Sequence, residues 1–174
     1  MNRLLSVLSA AVLGTAGLCS TAQAAPMLLS PVTYAPGADV PDRVKEECRI
    51  DFQLESDISN RLARQFKLPS GKTTSTDGET VRATITYVLG AAAGSWSGPK
   101  SITILVEMLN NGKVERSTKL HRTSMPLGFR GTCSILDRDA RALAKDVVKW
   151  VENPSYSTSD DVLPPEGAAS AASN

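Results

Sequence analysis

Residues 101–124, SITILVEMLNNGKVERSTKLHRTS, decide the fold. Ile102, Ile104, Val106 and Met108 fall on alternate positions and face one way, the two-residue period of a strand. Asn110, Asn111 and Gly112 follow, and Asn and Gly tolerate the positive φ that a tight hairpin requires. A second strand, with weaker alternation, runs from Lys113 onward. Upstream, TVRATITYVLG (residues 80–90) sets Val81, Ala83, Ile85, Tyr87 and Leu89 against Arg82, Thr84 and Thr86. The centre of the chain therefore reads as an antiparallel three-stranded meander.

Helical periods flank it. From Asp51, a candidate N-cap, Leu54, Ile58, Leu62 and Phe66 recur every four residues before the breakers of LPSG. Near the other end, Leu136, Ala140, Leu143, Val147 and Val151 form one apolar stripe. Ser134 and Asp137 approximate a capping box there, and Asn153-Pro154 stops the helix. The outer face carries Arg138, Arg141, Lys145 and Lys149, a solvated basic face that leaves room for an anion or membrane contact. Two amphipathic helices on one sheet face make an α+β two-layer sandwich of order β-α-β-β-β-α. The first strand of that order lies near residues 28–34, in a segment (25–47) punctuated by Pro26, Pro31, Pro36 and Pro41.

The N-terminus specifies export. Arg3 precedes the apolar run LLSVLSAAVLGTAGL, and Ala22-Gln23-Ala24 offers small residues to a signal peptidase, with cleavage expected before Ala25. Residues 1–24 are thus a leader, and the mature chain contains no membrane span. Cys19 follows Leu18, a poor fit for lipid attachment, so it leaves with the leader; a lipidated form is the alternative. Cys48 and Cys133 remain. In an oxidising compartment such a pair forms one disulfide. It would close a loop of roughly 85 residues and contribute about 4 kcal/mol. Each cysteine lies just before a helix, so the bond would pin both helices side by side.

Length and charge suit one domain, residues 48–152, and exclude a nucleic-acid partner. The 174-residue chain carries a formal net charge of +1, and loss of Arg3 with the leader leaves it neutral. Residues 153–174, rich in Pro, Ser, Ala and Gly, lack the apolar surface to fold and form a disordered tail. PSGKTT (residues 69–74) imitates a phosphate loop, but Phe66 stands where that loop needs Gly, and helix precedes strand there. No cofactor or metal site is expected: no acidic cluster has ligand spacing, and His121 is the only histidine. It is expected at a surface or strand edge, with no catalytic set around it, so the balance leans away from an enzyme.

The candidate binding residues lie elsewhere. GAAAGSWSGPKS (residues 90–101) joins two strands by a long loop of small residues around Trp96, with Lys100 behind it. Trp is enriched at binding hot spots, although a loop indole more often plugs the sheet end. Arg116, Lys119, His121, Arg122 and Arg130 form a basic stretch suited to an envelope protein or an anionic surface.

GSWSGPKSITI, RGTCSIL, DRDARALAKDVVKWVENP and VKEEC resemble a group of small secreted proteobacterial proteins, a domain of unknown function, over most of residues 44–154. The resemblance implies export, supports Cys48 and Cys133 as partners, and brings no activity with it. In element order alone the chain is also similar to small α/β modules of envelope lipoproteins. The function expected is a non-enzymatic binding or accessory module of the cell envelope, periplasmic or secreted. The alternatives are a small periplasmic hydrolase using His121, and a secreted inhibitor presenting the Trp96 loop.

Overall fold

A computed structural model describes residues 25–90, 98–125 and 131–158. The elements are β1 (Met27–Leu29), β2 (Thr33–Asp39), α1 (Asp42–Cys48), α2 (Ile50–Phe66), β3 (Lys72–Thr73), β4 (Glu79–Leu89), β5 (Lys100–Asn110), β6 (Lys113–Ser124) and α3 (Thr132–Glu152). The fold is α+β, a six-stranded mixed sheet with three helices packed on it. The order is β3-β1-β4-β5-β6, and β2 also pairs with β4.

The meander is present: β4, β5 and β6 pair antiparallel. It turns at Asn111 and Gly112, both at positive φ (48° and 78°), between the paired Asn110 and Lys113. The sheet extends beyond it, however, and is not purely antiparallel. The proline-rich segment supplies two strands rather than one, each parallel to β4: β1 opposite Thr80 and Val81, β2 opposite Thr84 and Ile85. Parallel neighbours need a long crossover, and α1 with α2 provides it. Pro36 falls where the β2–β4 register shifts, as suits a residue with no N–H to donate.

Four local expectations are corrected. The first helical region is two helices broken at Arg49, which adopts the left-handed conformation (φ 47°), and Asp51 lies in the first turn of α2 instead of capping it. α3 begins at Thr132 with Gly131 as N-cap and no side-chain capping bond, so Ser134 is inside the helix. A bulge between Ile85 and Tyr87 reverses the alternation of β4. Val88 is therefore buried, whereas Leu89 is exposed. Finally, residues 153–158, assigned by composition to the tail, lie on the domain. Tyr156 packs against the core, and Thr158 Oγ1 accepts from the His121 N–H at 3.1 Å along the outer edge of β6.

The core lies between sheet and helices. Leu54, Ile58 and Leu62 of α2 meet Leu136, Ala140, Leu143 and Val147 of α3 over Val81, Ile85, Ile102, Ile104 and Leu120. The Cys48–Cys133 disulfide is present, with the two Cα atoms 4.9 Å apart, at the end of α1 and in the first turn of α3. Gln65, the last residue but one of α2, hydrogen-bonds Glu152 at the end of α3. Bonded near their starts and near their ends, α2 and α3 run parallel.

Candidate functional site

The strand β6 does not present its basic residues as one surface. Side chains alternate along it, so Arg116, Arg122 and Ser124 face α3, while Lys119 and His121 point to the opposite side of the sheet. Each of the first three is occupied. Arg116 lies with its guanidinium 4.6 Å from the centre of the buried Trp150 ring and donates to the Val151 carbonyl at 3.1 Å. Arg122 grips Asp146 with two bonds, 2.7 Å and 2.8 Å. Ser124 donates to Asp139, and both aspartates are buried. Tyr156 closes the group by donating its hydroxyl to Asp146 at 2.6 Å; burial and then this bond raise its phenol above the ordinary range. A buried carboxylate requires such partners, because its desolvation is otherwise several kcal/mol unfavourable. These arginines are struts between sheet and helix.

His121, expected at the surface, is 4% exposed. Its Nδ1 lies 2.8 Å from Thr103 Oγ1 and its Nε2 2.7 Å from Thr123 Oγ1. An imidazole tied to a hydroxyl at both nitrogens suits packing inside a sheet better than proton transfer to a substrate. Lys119 is exposed. Lys100 is buried at the start of β5, with its ammonium 3.1 Å from the Gly98 carbonyl, and burial lowers its pKa. Trp96 and Arg130 lie outside the described residues, as do Cys19 and the rest of residues 1–24, where a leader is expected. Among the described residues no group of three His, Cys, Asp or Glu could hold a metal ion, and no helix is long and apolar enough to cross a membrane.

The structure instead distinguishes one end of the molecule. A Cβ placed on Gly90, after β4, would lie 3.0 Å from Val44 and 3.5 Å from Thr132, which puts the end of β4 against α1 and the start of α3. Lys100 pairs with Ser124, so β5 begins and β6 ends there too. The flanks of residues 91–97 and 126–130 therefore meet at the disulfide end. Of the four exposed large hydrophobic residues among those described, Leu89 (40%), Met125 (62%) and Phe52 (57%) belong to this end. Composition gave no hint of it, because each is a single apolar residue at an element boundary.

No family model and no curated protein sequence matches the chain. Solved structures do share its outline. A dodecamer of a PelC variant from Paraburkholderia phytofirmans is 15% identical, with a TM-score of 0.47 over 73% of this chain and 93% of that one. A crystal structure of an uncharacterised protein is 16% identical, with a TM-score of 0.45 over 74% and 94%. A second PelC dodecamer crystal form from the same organism is 14% identical, with a TM-score of 0.38 over 67% and 83%.

Proposed function

We propose that this chain is an exported, non-catalytic binding module of the bacterial cell envelope, one of the small secreted proteobacterial proteins its sequence resembles. In this proposal its contact surface is the disulfide end: Leu89 and Met125, the Trp96 loop, and Arg130; Lys100, buried at the start of β5, leaves it. The supporting observation is the gathering of exposed apolar side chains beside the flanks of both loops. Single exposed hydrophobics are ordinary on a soluble protein, but three of four at one end make that end the place to bury on contact. The disulfide fits an oxidising, extracytoplasmic setting. Arg116 and Arg122 leave the proposed surface, since Trp150 and Asp146 already hold them. The partner proposed is an envelope protein offering apolar and acidic groups.

Photo-crosslinking in growing cells tests this. A crosslinking amino acid at Leu89 or Met125 should give one discrete adduct, while the same probe at Lys113, in the hairpin at the far end, gives none. Trp96→Ala with Arg130→Ala should remove the adduct and leave the melting temperature unchanged. Adducts from Lys113 alone would overturn the proposal.

A further inference from the structure

At the opposite end, the parallel course of α2 and α3 sets two rows of cations face to face. Arg61 and Arg64 stand three residues apart on α2; Lys145 and Lys149 stand four apart on α3, so each pair shares one helix face. They line a groove of about 340 Å³, with Glu152 the one acid on its walls, already engaged by Gln65. Six other cations, Arg43, Lys45, Lys72, Arg82, Arg122 and Arg141, each hold a carboxylate. Among the described residues no carboxylate lies within ion-pairing distance of the four groove cations, and the Arg61 Nε is buried without a hydrogen-bond partner. Lys149 alone has a neighbour for its charge, the Tyr156 ring 5.1 Å away.

Helix polarity explains part of this. The carbonyl end of a helix favours cations in its last turn, which accounts for Arg64 and Lys149. Arg61 and Lys145 sit about one turn further in, where that field has faded. Like charges at this spacing destabilise both helices unless something neutralises them. We propose that the groove binds a phosphate-bearing anion, with the forked guanidiniums of Arg61 and Arg64 on one wall and the ammoniums of Lys145 and Lys149 on the other. Arginine pairs with phosphate oxygens through two parallel N–H bonds, and lysine adds charge without demanding geometry. The groove has room for a phosphorylated headgroup or a small free phosphate, and the same four cations would serve either.

Titration calorimetry of the mature protein at low salt with inorganic pyrophosphate, and flotation with phosphatidylglycerol against phosphatidylcholine vesicles, separate the sources. Arg64 and Lys145 are exposed, so Arg64→Gln with Lys145→Gln spares the core. A pyrophosphate site weakened about tenfold in this double variant, and unchanged in Lys113→Gln with Arg138→Gln, supports a free anion. Flotation with phosphatidylglycerol alone, lost in the same variant, supports a headgroup. Binding to neither probe, or equal loss in the two double variants, overturns the proposal.

Discussion

Asp146 shows how much one side chain can carry. At 1% exposed it relies on Arg122 and Tyr156, and removing a partner from a buried ion pair is more damaging than never having had the pair. Asp146→Ala is expected to lower stability by about 3 kcal/mol in urea unfolding, and Tyr156→Phe by about 1.5–3 kcal/mol, the range for a hydrogen bond to a charged group. Gly71 is the steric counterpart. A Cβ there would fall 1.7 Å from the Ser59 carbonyl oxygen, a backbone atom of α2 that cannot step aside. Gly71→Ala should destabilise by about 3 kcal/mol or more, read as a drop in the denaturation midpoint; an unchanged midpoint would mean that β3 is not seated against α2. Part of this was legible. The stripe of Leu136, Ala140, Leu143, Val147 and Val151 was plain from helical spacing, but Trp150, Asp139 and Asp146 beside it were not. Nor were the partners, because nothing local to Arg122 says that an acid 24 residues away will meet it.

Among the elements, the hairpin and both long helices were written in local chemistry: turn residues that accept positive φ, and apolar residues at fixed periods. The parallel strands were not. Their pairing is long-range, and the prolines of residues 25–47 hide a strand pair whose backbone bonds run only to β4 and β3. The bulge after Ile85 was equally silent, since one inserted residue reverses the face of everything beyond it. Glu55 of α2 ties these pieces together. It accepts from Ser30 Oγ at 2.9 Å, from the Val32 N–H at 3.2 Å and from Lys72 Nζ at 2.8 Å. Lys72 leads in holding its carboxyl below the usual range, and the Ser30 and Val32 bonds add to it against desolvation. In the unfolded chain that carboxyl ionises near pH 4.3. The stabilisation is therefore complete above that pH and disappears as the medium falls through the lower native value. Thermal melts taken below about pH 5 should show Glu55→Gln losing less stability on acidification than the parent; parallel acid limbs would contradict it.

For the molecule as a whole, two ends have different characters. One has the cystine, three of the four exposed large apolar side chains among the described residues, and the flanks of both loops; the other has the cationic groove. The sequence disclosed the cystine and the helical basic face, yet it could not disclose the division, which follows from α2 and α3 running in the same direction. Cleaving the Cys48–Cys133 bond should lower stability by about 4 kcal/mol through the freed loop, measured as the difference between oxidised protein and Cys48→Ser/Cys133→Ser in urea. A difference below about 1 kcal/mol would mean the reduced chain is held together by packing alone.

The span of that bond has a consequence for biogenesis. Every residue of α2 and of strands β3 to β6 lies inside the ring it closes. When the chain is delivered amino end first, the earlier thiol must wait until almost the whole domain has been delivered. Oxidation therefore acts as a late latch on a sheet already able to assemble, and an oxidant meeting the chain early finds a lone sulfur to hold in a mixed disulfide until its mate arrives.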